Sequence, residues 1–415
     1  MRRRSPVTFL LVLLFVGFIE GAAYYGWSHL LLNLKHPTLS ALFKVFYWIE
    51  TLGLVAVLFF VMGSFARILN VKRTYYGFQG AGIIMSDILP KLLFTVFVML
   101  YTIIQGGYVA INHFILHSTQ TRLNIDWLLI FGTVASLTIF AFIVRGILIG
   151  RFDFKVLKET IHFDTLPDAF DGLRAVQISD IHIGSFYQHK DQIAKAVDMV
   201  NSLKPDIIFF TGDMVNNVAE ELKGFEPILA KLQAPLGKFS ILGNHDYGDY
   251  VKWESKEAKI KNLDTLKDLQ QHAGFDLLLN ENRLITKNGQ QIAVIGVENW
   301  GTPPFAQYGQ LPVAVKGTEN TPFRILLSHD PSHWDVEVAK KTDIQLTLAG
   351  HTHGMQFGIR IGDWQWSPVQ WRYERWHGLY THLKQHLYVN RGLGHIGFPG
   401  RVGMLPEITL LEFRK

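Results

Sequence analysis

The chain of 415 residues contains no cysteine. This absence excludes disulfide bonds and thiolate metal sites, so any bound metal must be held by His, Asp, Glu, Asn or water. The excess of positive over negative charge is also small, because the formal net charge is only +5 at pH 7. Such a balance suits anionic membranes or phosphate substrates, but the dense basic stripes of nucleic-acid binders are missing. We therefore expect no nucleic-acid partner.

Apolar residues are abundant, at 48% of the chain, but they are unevenly distributed. The first 150 residues contain four windows long enough to span a bilayer, which requires about 20 residues each. The rest alternates short apolar runs with Gly, Asp and Asn. We predict a four-helix transmembrane region at 1–150, a linker at 151–172 and a globular domain at 173–415. The four windows are roughly 7–28, 46–66, 92–112 and 127–149.

Basic residues predict how these windows are oriented, since cytoplasmic connections carry an excess of Lys and Arg. We predict a multi-pass protein of the cell membrane with both ends and the globular part in the cytoplasm. Two alternatives remain: a cleaved signal peptide in the first window, which leaves the later spans as they are, and export of the globular part. The basic residues used are Arg2, Arg3, Arg4, Arg67, Lys72, Arg73, Lys91, Arg151, Lys155 and Lys158.

Two carboxylates, Glu20 and Glu50, fall within or at the edge of the first two windows. Intramembrane carboxylates can mark a path for protons or ions. The alternative is that both lie near the outer membrane interface and touch water. We favour the interface position.

After Gly172 the pattern of strand, loop and helix repeats, with helices expected at about 190–203 and 219–232. Five apolar runs each end in polar side chains. Because ligands of open α/β sheets bind at the carboxyl ends of strands, we expect these side chains to form one site. The runs and their ends are Leu173–Ser179 with Asp180 and His182, Asp206–Thr211 with Asp213, Gly237–Leu242 with Asn244, His245 and Asp246, Phe323–Ser328 with His329, and Ile344–Ala349 with His351 and His353.

The metal-capable side chains at these ends are too many for one zinc site, which uses three or four ligands. They suit two divalent ions that share a bridging carboxylate, an arrangement that holds a phosphate ester. A single Asp or Asn could instead cap a helix or form a turn, but five such ends together favour metal binding. His189, His333 and His395 lack this context, and we expect them at the surface or behind the ligands. The seven candidate ligands are Asp180, His182, Asp213, Asn244, His329, His351 and His353.

The order of these motifs (DxH, GD, GNHD, H and GHxH) resembles that of the calcineurin-like metallophosphoesterases over about residues 160–415. The resemblance implies a four-layer α/β/β/α sandwich. It implies that Asp213 bridges two metals and that His245 contacts the substrate as an acid or charge stabiliser. We further predict that Asp246 orients the ring of His245. The resemblance places Asp180, His182 and His353 on the first metal and Asn244, His329 and His351 on the second.

Finer features resemble a membrane-associated bacterial subgroup that includes UDP-diacylglucosamine hydrolases, and also the transmembrane metallophosphoesterase-domain proteins. The segment beginning Leu166-Pro167 and the later Pro399-Gly400-Arg401 carry the subgroup likeness. Two positions depart from it: Met355 stands in the sequence His-Gly-Met-Gln where the subgroup usually has a second glycine, and Met404 stands where a cysteine is common.

The expected reaction is hydrolysis of a phosphodiester or pyrophosphate bond, in a lipid-linked substrate, by attack of a hydroxide that bridges two divalent ions. Mn, Fe and Zn all suit N and O ligands, so the metal stays open. One alternative is a tethered phosphodiesterase that acts on a soluble substrate. Another is a catalytically silent membrane scaffold that binds a phosphorylated ligand.

Aromatic and basic residues cluster in the segment 364–376. Trp and Arg together are typical of contacts with a membrane interface or lipid head groups. The alternative is an aromatic cap packed on a sheet, and both remain open. The cluster comprises Trp364, Trp366, Trp371, Arg372, Tyr373, Arg375 and Trp376.

Overall fold

The computed structural model describes residues 6–33, 36–65, 68–303, 305–362 and 364–415. The chain divides into two compact units. The first, which we call the helical unit, comprises Met1–Ala66 and Tyr76–Arg145. The second, the sheet unit, comprises Arg67–Tyr75 and Gly146–Lys415. The division of the chain at residues 150 and 172 remains our proposal.

Among the described residues, four helices are long and apolar enough to cross a membrane, which agrees with the number of predicted spans. The third runs for 44 residues, through much of the segment that we expected to be a connection. At 1.5 Å per residue it is about 66 Å long, well over the roughly 30 Å of a hydrocarbon core. The helices are α1 (Pro6–Asn33), α2 (Pro37–Phe65), α3 (Val71–Phe114) and α4 (Asp126–Leu148).

An ion cluster inside the helical unit corrects two expectations. Lys91 lies within α3, so it is not a charge of a connection, and its Nζ lies 3.0 Å from Glu20 Oε1 and 2.8 Å from Glu50 Oε2. Glu20 is only 2% exposed and also accepts a hydrogen bond from Thr51. Glu20 therefore does not touch water. Lys91 supplies the charged partner that a buried carboxylate needs. Of the other basic residues used for orientation, Arg2, Arg3, Arg4 and Arg67 lie outside the described residues.

The sheet unit contains two six-stranded sheets and a two-stranded ribbon. One sheet has the order β1-β14-β2-β3-β4-β5 and the other β12-β13-β9-β8-β7-β6. The central strands of each are parallel, as the buried apolar runs predicted. The strands are β1 (Lys155–His162), β2 (Arg174–Ile178), β3 (Ile207–Phe210), β4 (Lys238–Ser240), β5 (Asp276–Leu277), β6 (Glu281–Lys287), β7 (Gln290–Gly296), β8 (Arg324–Leu327), β9 (Leu346–Ala349), β10 (Ile359–Ile361), β11 (Trp364–Trp366), β12 (Gly378–His382), β13 (Gln385–Val389) and β14 (Glu407–Arg414).

Alternate side chains of each strand fill different layers, and this confirms the four-layer sandwich. In β3, Ile207 and Phe209 join the core between the two sheets, whereas Ile208 and Phe210 face helices on the outer side. Residues of the second sheet fill the same inner core and pack outward against a thinner helical layer. The helices of the sheet unit are α5 (Lys190–Ser202), α6 (Glu226–Leu229), α7 (Lys256–His272) and α8 (Leu311–Ala314).

Two local predictions differ from the structure. Residues 155–162 of the expected linker form β1, an edge strand that pairs with the last strand of the chain. The helix expected over 219–232 is broken into a 3-10 turn and the four-residue α6. Gly224, with a φ of +77°, separates the two pieces, and Pro227, which lacks a backbone N–H, lies in the first turn of α6, where a helix can begin but not continue from 219.

Candidate metal centre

The carboxyl ends of five parallel strands, from both sheets, meet at one edge of the sandwich. β2, β3 and β4 of the first sheet and β8 and β9 of the second supply the ends predicted from the sequence. All seven candidate ligands lie there, and all but His351 are buried. The first ligand follows the end of each strand by two to four residues, where the chain leaves the apolar core and turns to the site.

The backbone at this edge is held in unusual conformations. Positive φ values occur at Asp180, His182, Asp213, His351 and His353, although none of these is glycine. Such conformations are costly and are found where a site imposes them. Gly350 serves a different purpose, since a Cβ there would collide with the side chains of Ser179 and Asp180. The glycine therefore permits the close approach of β9 to the end of β2.

The ligand atoms converge in two groups that share one carboxylate. Asp180, His182, Asp213 and His353 form the first, and Asp213, His329 and His351 form the second; within each, the ligand atoms lie within 4.8 Å of one another.

In the first group, His182 Nε2 lies 3.0 Å from His353 Nε2, and the latter lies 3.2 Å from Asp180 Oδ1. In the second, His329 Nε2 lies 3.2 Å from Asp213 Oδ2. Asn244 joins this group, because its Oδ1 is 3.1 Å from His329 Nε2 and 2.8 Å from His351 Nδ1. The arrangement is compatible with binding divalent metals.

Hydrogen bonds behind the site fix which ring nitrogens face it. His182 Nδ1 lies 3.2 Å from the carbonyl of Val215, and His329 Nδ1 lies 2.7 Å from that of Thr211. A carbonyl only accepts, so these Nδ1 atoms carry protons and each Nε2 faces the site. His351 is the reverse case: its Nε2 lies 2.7 Å from the Tyr373 hydroxyl, which leaves Nδ1 for the site.

His245 and Asp246 are adjacent in sequence but do different things. His245 belongs to neither ligand group, and its Nδ1 donates to the carbonyl of Asn216 at 2.6 Å. Asp246 does not orient this ring, so that prediction is wrong. Its carboxylate accepts from the backbone N–H groups of Asp213, Gly243, Met214 and Val215. Asp246 therefore holds the loop after β3 that presents Asp213 to the site.

The electrostatics favour ligand-ready protonation states for most of the group. Burial alone would raise the pKa of Asp213, but the nearby His329 and His245 hold it well below its usual range. Burial lowers the pKa of His182 well below normal and that of His351 to about 4, so both rings are neutral at pH 7. His329 is the exception: despite its burial, Asp213 and Asp180 raise its pKa to about 10. A metal there would compete with a proton on His329.

Three histidines set aside on sequence grounds lie apart from the two ligand groups among the described residues. His333 is buried and bonded to Ser328, and His395 is buried, whereas His189 is half-buried and bonded to Tyr75.

Four contributors to the site were not foreseen. Tyr373 holds His351, Asn216 holds His245, and Tyr250 accepts a hydrogen bond from Asn244 Nδ2 at 2.8 Å. Arg401, fully buried, donates to the backbone carbonyl of His353 at 2.9 Å. Arg401 had a sequence signal in the Pro-Gly-Arg resemblance, and Tyr373 belongs to the aromatic cluster noted in the sequence, whereas Asn216 and Tyr250 lie in loops with no local pattern.

The aromatic segment 364–376 divides into a buried and an exposed part. Tyr373 and Trp376 pack with Val369 and Met404 in a small buried cluster, as the aromatic-cap alternative expected. Trp364 and Trp371 are instead largely exposed. Neither alternative describes the whole segment.

Comparison with known proteins agrees with this geometry. The family model described as calcineurin-like phosphoesterase matches residues 173–355. The metallophosphoesterase YkuE of Bacillus subtilis is 31% identical over 268 residues, which cover 63% of this chain and 85% of that protein. The phosphodiesterase YaeI of Escherichia coli is 27% identical over 265 residues, or 62% and 88% of the two chains.

A further relative is named as a transmembrane protein. The transmembrane protein with metallophosphoesterase domain of Danio rerio is 29% identical over 278 residues, which cover 63% of this chain and only 57% of that protein. The match over the catalytic region and the buried metal-capable side chains both indicate a metallophosphoesterase, and the four apolar helices indicate a membrane protein. The chain therefore belongs to the calcineurin-like metallophosphoesterases and is a membrane-associated, metal-dependent phosphoesterase.

Proposed function

We propose that the site binds two divalent ions and hydrolyses a phosphodiester or pyrophosphate bond of a lipid-linked substrate. The observation that carries this proposal is that two groups of ligand atoms share Asp213. Asp180, His182 and His353 would complete one ion's ligands, and Asn244, His329 and His351 the other's. Mn, Fe and Zn all suit such N and O donors.

The donor set also matches an anionic substrate. Two carboxylates supply the only negative charge among the seven side chains, so a pair of divalent ions would leave the site positive. When bound, such ions lower the pKa of a water to give a hydroxide nucleophile and neutralise charge on the phosphoryl oxygens. The chain's own contribution is to hold seven ligands in place with hydrogen bonds from behind.

His245 is assigned to the substrate. Because Nδ1 is bonded to Asn216, the ring presents Nε2, and its centroid lies 5.0 Å from that of His182 and 4.7 Å from that of Tyr250. Once protonated at Nε2, the ring would donate to a phosphoryl or leaving-group oxygen. The carbonyl of Asn216 prevents the ring from turning away.

A lipid-linked substrate is favoured by the helical unit, since four apolar helices would tether the catalytic domain to a bilayer. Anchoring raises the effective concentration of a substrate that is confined to the same membrane. A soluble substrate would gain nothing from that confinement. The basic flanks favour a cytoplasmic catalytic domain.

A turnover screen of the purified full chain with Mn²⁺ tests this function. A small chromogenic diester, inorganic pyrophosphate and a lipid-linked pyrophosphate in mixed micelles are compared. We expect hydrolysis that a chelator abolishes and that is fastest on the lipid-linked compound. Metal-loaded protein that turns over none of the substrates would support the silent scaffold, and equal rates on soluble and lipid-linked compounds would support the tethered enzyme.

The variant His245→Ala separates metal binding from chemistry. It should keep both ions yet lose turnover by about 10²-fold or more, the scale of a lost proton donor or charge stabiliser. Metal content is measured by plasma mass spectrometry beside the parent protein. Loss of an ion from this variant would make His245 a ligand and contradict the assignment.

A further inference from the structure

The ribbon formed by β10 and β11 has two chemically different faces. Ile361 pairs directly with Trp364 and Ile359 with Trp366, while Arg360 pairs with Gln365 between them. Cross-strand partners project from the same face of a ribbon, and neighbours along a strand project from opposite faces. The two isoleucines and two tryptophans therefore share one face, and Arg360 and Gln365 share the other.

The apolar face is open to the surroundings. Ile361 is 70% exposed, Trp364 57% and Ile359 50%. Trp366, which pairs with Ile359, is partly buried. Trp371, on the turn that follows, is 77% exposed and packs its ring edge-to-face on Trp366, with centroids 5.8 Å apart. These five side chains form one surface, which we call the aromatic face.

On the polar face, Gln365 contacts the body of the sheet unit, whereas Arg360 is exposed. Gln365 accepts a hydrogen bond of 2.9 Å from Arg391, a buried residue that is ion-paired with Glu407 at 2.7 Å. The ribbon thus uses a polar residue, Gln365, for its contact with the sheet unit and leaves its apolar side exposed. Exposed apolar surface of this kind is unfavourable in water and marks a place of contact.

We propose that the aromatic face inserts into the interface of the lipid bilayer. Tryptophan prefers the boundary between acyl chains and head groups, because its ring is apolar and its N–H still needs a polar partner. Arg372, next to Trp371, is exposed and would meet lipid phosphates; the exposed Glu374 offsets this charge in part. Since the same chain carries four membrane-crossing helices, a weak patch suffices to hold the sheet unit at the surface.

Contacts connect this face to the metal centre. Ser367 Oγ, just after β11, donates to the carbonyl of Gly354 at 2.7 Å, and Gly354 follows the ligand His353. Tyr373, two residues after Trp371, holds His351. Insertion would therefore set the metal ligands next to the membrane surface, where a phosphate linked to lipid lies. The insertion itself does not depend on which phosphate ester is cleaved.

Depth measurement on the full chain tests the proposal, and the absence of cysteine makes it straightforward. A polarity-sensitive thiol fluorophore is attached to Ile361→Cys and, as a matched control, to Ile260→Cys on α7, where the isoleucine is 58% exposed. Both are reconstituted in phosphatidylcholine–phosphatidylglycerol vesicles with nitroxide-labelled acyl chains. At 361 we expect a blue-shifted emission, quenching by the nitroxides and a depth of about 5–10 Å below the head groups. At 260 we expect neither.

The double change Trp364→Ser with Trp371→Ser, added to Ile361→Cys, should reverse the blue shift and the nitroxide quenching. A fluorophore at 361 that aqueous iodide quenches as strongly as the one at 260 would overturn the proposal. Shielding from iodide without nitroxide quenching, together with self-quenching that rises with protein density, would instead identify a second copy as the occupant. Because no turnover is measured, failure here is distinct from failure of the proposed hydrolysis.

Discussion

Five of the seven proposed ligands occupy backbone conformations that non-glycine residues avoid. Each such residue costs on the order of 1 kcal/mol or more, and it persists only where surrounding contacts hold it. Here the contacts include the carboxylate of Asp246 under the Asp213 loop and the approach of Gly350 to Asp180. The strain directs the side chains into one small volume, so we attribute it to metal binding.

The shared carboxylate leads to a prediction on stoichiometry. The parent protein should hold about two transition ions per chain. Asp213→Asn should weaken binding of both, because the amide loses the negative charge that both groups share. Metal analysis after dialysis at graded metal concentrations checks this. An Asn variant that retains one ion at parental affinity would show that Asp213 serves only one group.

The hydroxyl of Tyr373 gives a second prediction at this scale. Tyr373→Phe keeps the ring but removes the partner of His351 Nε2, so the imidazole is no longer held. Outer hydrogen bonds of this type are worth about 10–100-fold in metal affinity, and we expect a loss in that range. Competition with a fluorescent chelator measures it. The control is Tyr187→Phe, on an exposed ring, which should keep parental affinity.

At the scale of elements, α3 does more than cross a membrane. It carries Lys91 into contact with three carboxylates, those of Glu20, Glu50 and Asp87, from three helices. Charged side chains within spans are rare and are stable only when paired. The ion pairs of this cluster thus connect α1, α2 and α3.

Removal of the lysine should therefore destabilise the helical unit. Lys91→Met fits the apolar surroundings but leaves buried carboxylates without a cation, at a cost on the order of 3 kcal/mol. Thermal unfolding of the full chain in detergent, followed by the loss of helical circular dichroism, should show a lowered midpoint. Lys44→Met, at an exposed position of α2, is the matched control and should unfold like the parent. Identical unfolding of both variants would mean that the cluster contributes nothing to stability.

For the whole molecule, the orientation in the membrane remains the prediction to test. The basic residues around the helices predict that residues 151–415 lie in the cytoplasm. A green fluorescent protein fused after Lys415 should fluoresce, whereas alkaline phosphatase at the same place should be inactive. The opposite pattern would put the sheet unit outside, and the proposed substrate would then have to be reached from the outer leaflet.

Much of the fold and of the site was predictable because it depends on residues that are close in sequence. Four long apolar runs become helices wherever a bilayer is present, since every backbone group must be paired there. Asp180 and His182 stand directly after β2, and His351 and His353 directly after β9, so the end of each strand fixes their position. The number of donors and the absence of cysteine limited the chemistry to N and O ligands.

Tertiary packing decided the rest, because it concerns partners far apart in the chain. His353 meets His182 across 171 positions, and Lys91 meets Glu20 across 71. No local pattern shows that Asn216 rather than Asp246 holds His245, or that Tyr373 is buried while Trp371 is exposed. The sequence alone determined which side chains were available and at which strand ends. Only the packing of the two sheets against each other determined which of them meet, because that geometry is set by the whole core at once.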